Sequence, residues 1–258
     1  MTTIMPSTVA LTDGGVPIAD LARSMLFDFD ASTIVAADGA SVPSWLSLRG
    51  EAAPLRTLAT ASGGAAPILK ANALGALPAL RFGKSAADDT MRAVGAVDYP
   101  EFSISMLFRF DEAAAFVNST GTRLLNGLAS GRYVSIRASG SGALFAGAGT
   151  DGVSFGNGTL TGVETAWHMV TFTYTPPPTE NPAAGGTLVR KLDLRPPVTT
   201  TGHTGLSSTG ILNSLLIGAA GSLSATEIQR FRGWGRALRV DEIETWHAAI
   251  HGRTQLPW

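Results

Sequence analysis

Trp167-His168-Met169-Val170-Thr171-Phe172-Thr173-Tyr174 is the stretch on which the reading of the fold turns. Val170, Phe172 and Tyr174 fall on one side of an extended chain, and Met169, Thr171 and Thr173 fall on the other. Aromatic and β-branched residues at period two mark a strand with one buried face. A polar turn (Gly162 to Thr165) precedes it, and Pro176-Pro177-Pro178, which cannot continue a sheet ladder, ends it. The stretch reads as a central strand of an antiparallel sandwich.

Other strands fall into place around it. Met25 to Asp30 opens the series, and Val42 to Leu48, centred on Trp45, is a short extended element. Leu77 to Phe82 follows, and Phe102 to Phe110 alternates five large apolar residues against small or polar ones. Shorter runs separated by glycine turns lie between Arg123 and Phe155, and further strands lie at Leu188–Leu194, Leu212–Ile217 and Ile228–Trp234. The period then changes. Ile243, Trp246, His247 and Ile250 follow helical spacing in Asp241 to His251, with Gly252 as the expected stop. Many short strands with frequent turn signals point to a sandwich or jelly roll.

Composition bounds what such a domain can do. The 258 residues are 45% hydrophobic and 15% charged, enough for one large core with a sparsely charged surface. Nineteen basic against 20 acidic residues leave a net charge of −1, which offers no footprint for nucleic acid or for an anionic membrane. Without cysteine there are no disulfides, thiolate metal sites or cysteine nucleophiles. No basic start followed by an apolar run reads as a secretory signal, and no segment reads as a membrane span. Residues 1–24 carry Ile4, Val9, Leu11, Val16, Ile18 and Leu21, too many apolar residues for a plain disordered tail. They read as an arm that either wraps its own domain or docks onto a larger assembly. Residues 25–252 form the sandwich and 253–258 a short tail.

Taken together, several stretches resemble concanavalin A-like, laminin-G-like jelly-roll domains. They are Asp30-Ala31-Ser32; Asp38 to Val42 with Trp45; Leu77-Pro78-Ala79-Leu80-Arg81-Phe82; and Phe102-Ser103-Ile104-Ser105. Trp167-His168-Met169-Val170, Leu215-Leu216-Ile217-Gly218 and Gly235-Arg236-Ala237-Leu238 with Glu242-Ile243 continue the match in order. The resemblance implies an all-β fold, a concanavalin A-like antiparallel β-sandwich (jelly roll) with one short C-terminal helix. It also implies a face that binds carbohydrate, and it does not by itself imply catalysis. The family's acidic turn is displaced here to Asp88-Asp89. These two residues are the local candidates for a Ca²⁺ site, against the simpler reading of a solvated turn. No other cofactor is expected.

A glycosidase would need two carboxylates facing each other across a cleft. Glu242 and Glu244 are two apart on the helix and diverge, and no expected strand carries a pair on one face. Glu244, His247 and His251 have a metal-compatible spacing, but His247 falls on the apolar stripe. Gly147 to Gly152 matches a nucleotide-loop pattern yet is followed by a strand and not by a helix, so it reads as a turn. His168 has no evident partner. Trp45, Trp167, Trp234 and His203 are the candidate carbohydrate contacts, with the glycine-rich segments Ser139–Gly142 and Thr199–Gly205 as candidate rims. The expected function is a non-catalytic recognition or structural protein. It would be an accessory component of a bacteriophage virion (fibre, spike or decoration), assembled in the host cytoplasm. Its arm would hold other virion proteins, and its sandwich would face a surface glycan, with homo-oligomers in scope. The alternatives are a free, extracellular lectin-like module and, third, a polysaccharide-cleaving enzyme.

Overall fold

The structure is a computed structural model that describes residues 21, 24–49, 55–61, 64–83, 90–93, 99–111, 123–129, 132–139, 143–149, 153–159, 165–203, 215–218, 225–254 and 256. Two antiparallel eight-stranded sheets account for the described strands. In chain order these are β1 (Met25–Asp30), β2 (Ser44–Leu46), β3 (Thr57–Thr60), β4 (Ile68–Leu74), β5 (Leu77–Phe82), β6 (Thr90–Arg92), β7 (Phe102–Phe110) and β8 (Arg123–Ala129). They continue as β9 (Arg132–Ser139), β10 (Ala143–Gly149), β11 (Val153–Thr159), β12 (His168–Thr175), β13 (Gly186–Leu192), β14 (Val198–His203), β15 (Leu215–Gly218) and β16 (Thr226–Trp234). The first sheet runs β14-β13-β12-β7-β16-β5-β4 with β1 also on β16, and the second runs β11-β10-β9-β8-β15-β6-β3-β2.

Strand β12 is the stretch that the alternation singles out, and it is interior. It pairs with β7 from His168–Phe108 to Tyr174–Phe102, and with β13 on its other side. Its Val170, Phe172 and Tyr174 join Phe102, Ile104, Met106, Phe108 and Phe110 of β7 in the core between the sheets. The second sheet contributes Trp45, Leu58, Met91, Leu124 and Ile217 to that core. Aromatic rings knit the layers together. Phe27 lies 4.8 Å from Phe231, and Phe29 of the first sheet lies 5.5 Å from Trp45 of the second.

Strand β16 joins three neighbours. It pairs with β7 along its length, with β5 over Thr226–Ile228 and with β1 over Arg230–Trp234. Its register on β7 slips between Ile228 and Arg230, so Gln229 is one residue extra. Such a bulge reverses which face later side chains take. Before it, Ile228 points into the core; after it, Phe231 does, and Arg230, Arg232 and Trp234 turn to the outer face. An uninterrupted strand would have put both arginines among the phenylalanines.

The sequence-based boundaries hold for β5 and β7. Two differ. Thr199–His203 belongs to strand β14 and is not a loop rim, because Leu188, Val189 and Arg190 of β13 pair with that strand. The C-terminal helix runs Val240–Thr254, past the expected stop at Gly252, with Thr254 Oγ1 donating to the Ile250 carbonyl. Residues 1–20 of the arm, the Asp88-Asp89 turn and residues 140–142 lie outside the described residues. No helix among the described residues is long and apolar enough to cross a membrane.

Gly233 sits directly beneath the Phe27 ring, where an added Cβ would come within 2.3 Å of Cζ. Gly233→Ala must therefore push the ring out of the core. We expect a loss of about 2–3 kcal/mol in urea denaturation, typical of an overpacked core site.

Candidate functional site

The outer face of the first sheet is where polar chemistry gathers, because the C-terminal helix packs there over a second apolar layer. Met25, Leu107, Trp167, Met169, Trp234, Leu238, Ile243, Trp246, Ile250 and Leu256 form that layer together with Leu21. The helix is seated at its start by Glu242. Its Oε2 accepts the Arg239 backbone N–H at 2.8 Å, the reach-back half of a capping box. Arg236 grips the same carboxylate with two bonds of 2.7 Å each. That hydrogen-bonded guanidinium holds the Glu242 carboxyl below its ordinary range. Glu242 is therefore a structural anchor and does not pair with Glu244.

A buried polar chain fixes the rest of the helix. Trp246 Nε1 donates to Ser105 Oγ at 3.2 Å, and Ser105 Oγ lies 2.9 Å from Thr171 Oγ1. Thr171 Oγ1 lies 2.9 Å from His247 Nε2, and His247 Nδ1 lies 2.7 Å from the Asp193 carbonyl. Burial drives the His247 pKa down to about 3. The ring is thus neutral, with its one proton on Nδ1 for the carbonyl, which can only accept. This arrangement answers the metal question for His247: both nitrogens are committed to the protein.

Asp193 is the hinge of this network. It takes a left-handed backbone conformation (φ 52°), which asparagine and aspartate tolerate better than other side chains. Its carboxylate reaches back to accept the Met169 N–H at 2.9 Å and lies 2.8 Å from His168 Nδ1. His168, without a partner in the sequence reading, has one 25 residues away across β12 and β13. Spacing gave no signal of it, because the turn after β13 sets the approach.

Beside the helix lies a charged cluster. Asp28 accepts from Arg230 Nε at 2.8 Å, Arg230 Nη2 at 2.7 Å and Arg232 Nε at 2.7 Å, while Arg230 Nη1 pairs with Asp30 at 2.7 Å. Gln229, the bulge residue, donates to Asp30 at 3.0 Å. Burial pushes the Asp28 carboxyl up in spite of Arg230. The Arg232 guanidinium lies 4.1 Å above the Trp246 ring, which stands edge-on to Trp234 at 6.0 Å. Ser105, Leu107, Met169, Arg230, Arg232, Trp246 and Ile250 line a shallow hollow that opens to solvent and has room for about one water molecule.

The four residues named as carbohydrate contacts do not gather at one place. Trp45 and Trp234 are fully buried, and Trp167 is 7% exposed. Trp45 fills the inter-sheet core, and Trp234 donates its indole N–H to the Leu21 carbonyl at 2.8 Å. Trp167 donates to the Ala73 carbonyl at 3.2 Å beneath Arg109. None of these three rings offers a face for a sugar in this conformation. His203 stands on the β14 edge, half-buried, with Nε2 2.7 Å from Thr200 Oγ1. Trp246, which the sequence puts on the helical apolar stripe, is the tryptophan that lines the hollow.

No family model matches this chain, and no curated protein matches it. Solved structures do. The binding domain of botulinum neurotoxin DC, in complex with SialylT, matches 88% of this chain and 52% of its own at 12% identity and TM-score 0.61. The receptor-binding domain of botulinum neurotoxin D matches 88% of this chain and 53% of its own at 10% identity and TM-score 0.61. A structure of botulinum neurotoxin type C, whose cell entry depends on interaction with two ganglioside molecules, matches 90% and 53% at 11% identity and TM-score 0.62. The chain spans about half the length of these structures, and at such identities the likeness is one of fold.

The pH test follows from His247. Its pKa is depressed in the folded state, to about 3 from 6.5. The unfolded chain therefore binds the extra proton, and the stability from keeping the ring neutral is complete above pH 6.5 and lost as pH falls towards 3. We expect the difference in unfolding free energy between wild type and His247→Gln to shrink by ~1.4 kcal/mol per pH unit in that window. Urea titrations at pH 7, 5.5 and 4 read it directly; a difference independent of pH would refute the assignment.

Proposed function

We propose that this chain is a non-catalytic recognition component of a larger particle. A lectin-like sandwich is attached through one face and offers a surface glycan another. The observation that carries the non-catalytic half is what seven of the described carboxylates do. Asp28 and Asp30 are bound by Arg230, Glu227 by Arg109, Asp111 by Arg81, Glu242 by Arg236 and Asp241 by Arg239, while Asp193 faces His168. Carboxylates held in this way are poor proton shuttles and poor nucleophiles, because each would have to break an ion pair to react.

The recognition half draws on the fold. Its structural neighbours include a neurotoxin binding domain solved with SialylT, a neurotoxin receptor-binding domain, and a neurotoxin whose cell entry depends on interaction with two ganglioside molecules. The sequence resemblance to jelly-roll lectin domains points the same way. We place the particle among bacteriophage virions, with assembly in the host cytoplasm and the arm of residues 1–24 holding other virion proteins. The arm's root favours attachment on the outer face of the first sheet. There the Leu21 carbonyl accepts from Trp234, and Ser24 Oγ accepts from Arg236 Nε at 2.8 Å.

Light scattering on the full chain and on a chain lacking residues 1–20, which keeps the Leu21 anchor, tests the attachment. The expected result is an assembly from the full chain and a monomer from the shortened one. Identical monomers that bind glycans on an array would instead favour a free lectin-like module.

A further inference from the structure

The two sheets treat their charges differently. Arginines on the first sheet meet carboxylates: Arg81 meets Asp111, Arg109 meets Glu227, and Arg230 and Arg232 meet Asp28. The eight strands of the second sheet hold four arginines (Arg92, Arg123, Arg132 and Arg137) and not one Asp or Glu. Arg92 is exposed, and no carboxylate among the described residues pairs with it.

Backbone register gathers three of these arginines on one face. Residues directly opposite in an antiparallel ladder share a face, as do residues two apart on one strand. Arg92 pairs with Leu216, Leu216 with Asn126, and Asn126 with Ser135. Arg137 stands two residues beyond Ser135, and Arg123 is its direct partner. Met91, next to Arg92, is fully buried in the core, so the shared face is the outer one. A register slip between Arg123 and Leu125 is what brings Arg123 there. A regular β8 would place it on the inner side with Leu125, the partner of buried Ile217. Like charges directly opposite each other destabilise a ladder, and an anion between them reverses the sign.

Beside the arginines, Ser135 and Tyr133 pair with Gly147 and Gly149, the first glycines of the nucleotide-like pattern. Both belong to β10, so the outer face carries no side chain at the two positions beside Tyr133 and Ser135. Glycine inside a strand marks a place where a ligand can approach the backbone closely. Arg92 and Arg137 stand three strand spacings apart, about 14 Å across the sheet, a span for a chain of sugars and not for one.

We propose that the outer face of the second sheet binds an acidic polysaccharide. Arg92, Arg123 and Arg137 hold its carboxylate or sulfate groups, and Tyr133 takes a sugar ring. The proposal deepens the glycan-recognition reading above and rests on it. It puts the ligand on the sheet that carries neither the arm's root nor the C-terminal helix, so attachment and recognition do not compete. Three arginines in a chain of net charge −1 are few for nucleic acid, whose binding neutralises many phosphates.

Affinity electrophoresis of the full chain through gels holding polygalacturonate, dextran sulfate or neutral dextran is the test. At least one acidic polymer should hold the chain at least tenfold more tightly than dextran, and added salt should weaken its grip. Arg92→Gln and Arg137→Gln should each cost threefold or more. Arg253→Gln, the same loss of charge at the exposed end of the helix, should cost nothing. Arg137→Gln should also leave the melting temperature equal or higher, because it removes an opposed pair; a lower one would mark Arg137 as structural and overturn its assignment. Should that variant fail to fold, the exposed Arg92 carries the test alone. Equal retention by dextran, or retention that neither variant moves, overturns the proposal. So does an oligothymidylate that binds more tightly than both acidic polymers. On a glycan array, sugars bound equally by wild type and the arginine variants overturn this inference alone. A blank array with no retention in any gel removes the recognition reading as well.

Discussion

One extra residue in β16 governs the outer half of this molecule. Gln229 breaks the two-residue period, and everything downstream changes side. Arg230 and Arg232 then meet Asp28 and Asp30 of β1 on the outer face, and Trp234 becomes the floor on which the helix lies. Without the slip, two guanidiniums would face Phe27, Phe29 and Met106, a burial whose cost in unpaired charge the domain could not offset. The bulge also lets one strand edge serve two partners, β5 before it and β1 after it.

Polar bonds fix the start and the register of the helix on its apolar bed. Glu242 with Arg236 fixes its start, and the chain from Trp246 through Ser105 and Thr171 to His247 fixes its register. Each bond contributes on the order of 1 kcal/mol, and the last of them ends on a histidine that burial keeps neutral. Asp193 joins this outer network to the interior, since its carboxylate faces His168 while its carbonyl holds His247. The two layers of the first sheet are thereby coupled through one residue in an unusual backbone conformation.

The sandwich was legible in the sequence wherever period two ran unbroken. Phe102–Phe110 and Leu77–Phe82 came through residue for residue, because both strands bury one continuous apolar face. Polar strands were harder: Val198–His203 offers threonines on both sides and reads as loop until β13 is laid beside it. The site was hardest of all. Tryptophans are visible in sequence, but whether an indole is a platform or a core filler depends on the layer it meets, and Trp45, Trp167 and Trp234 meet core. The partners of His168 and Arg232 lie 25 and 204 residues away, and a bulge that no residue type announces decides the second.

The way the chain joins its own sheet has a mechanical side. Met25, the first residue of β1, pairs with Trp234, the last of β16, so tension arriving from the N-terminal side meets the end rung of that ladder. Loaded there, antiparallel strands peel one rung at a time and never share the force across all rungs at once. The bonds from Trp234 to Leu21 and from Arg236 to Ser24 stand ahead of that first rung. They act as a latch, and a tug on a tethered domain has to release it before the sheet begins to tear.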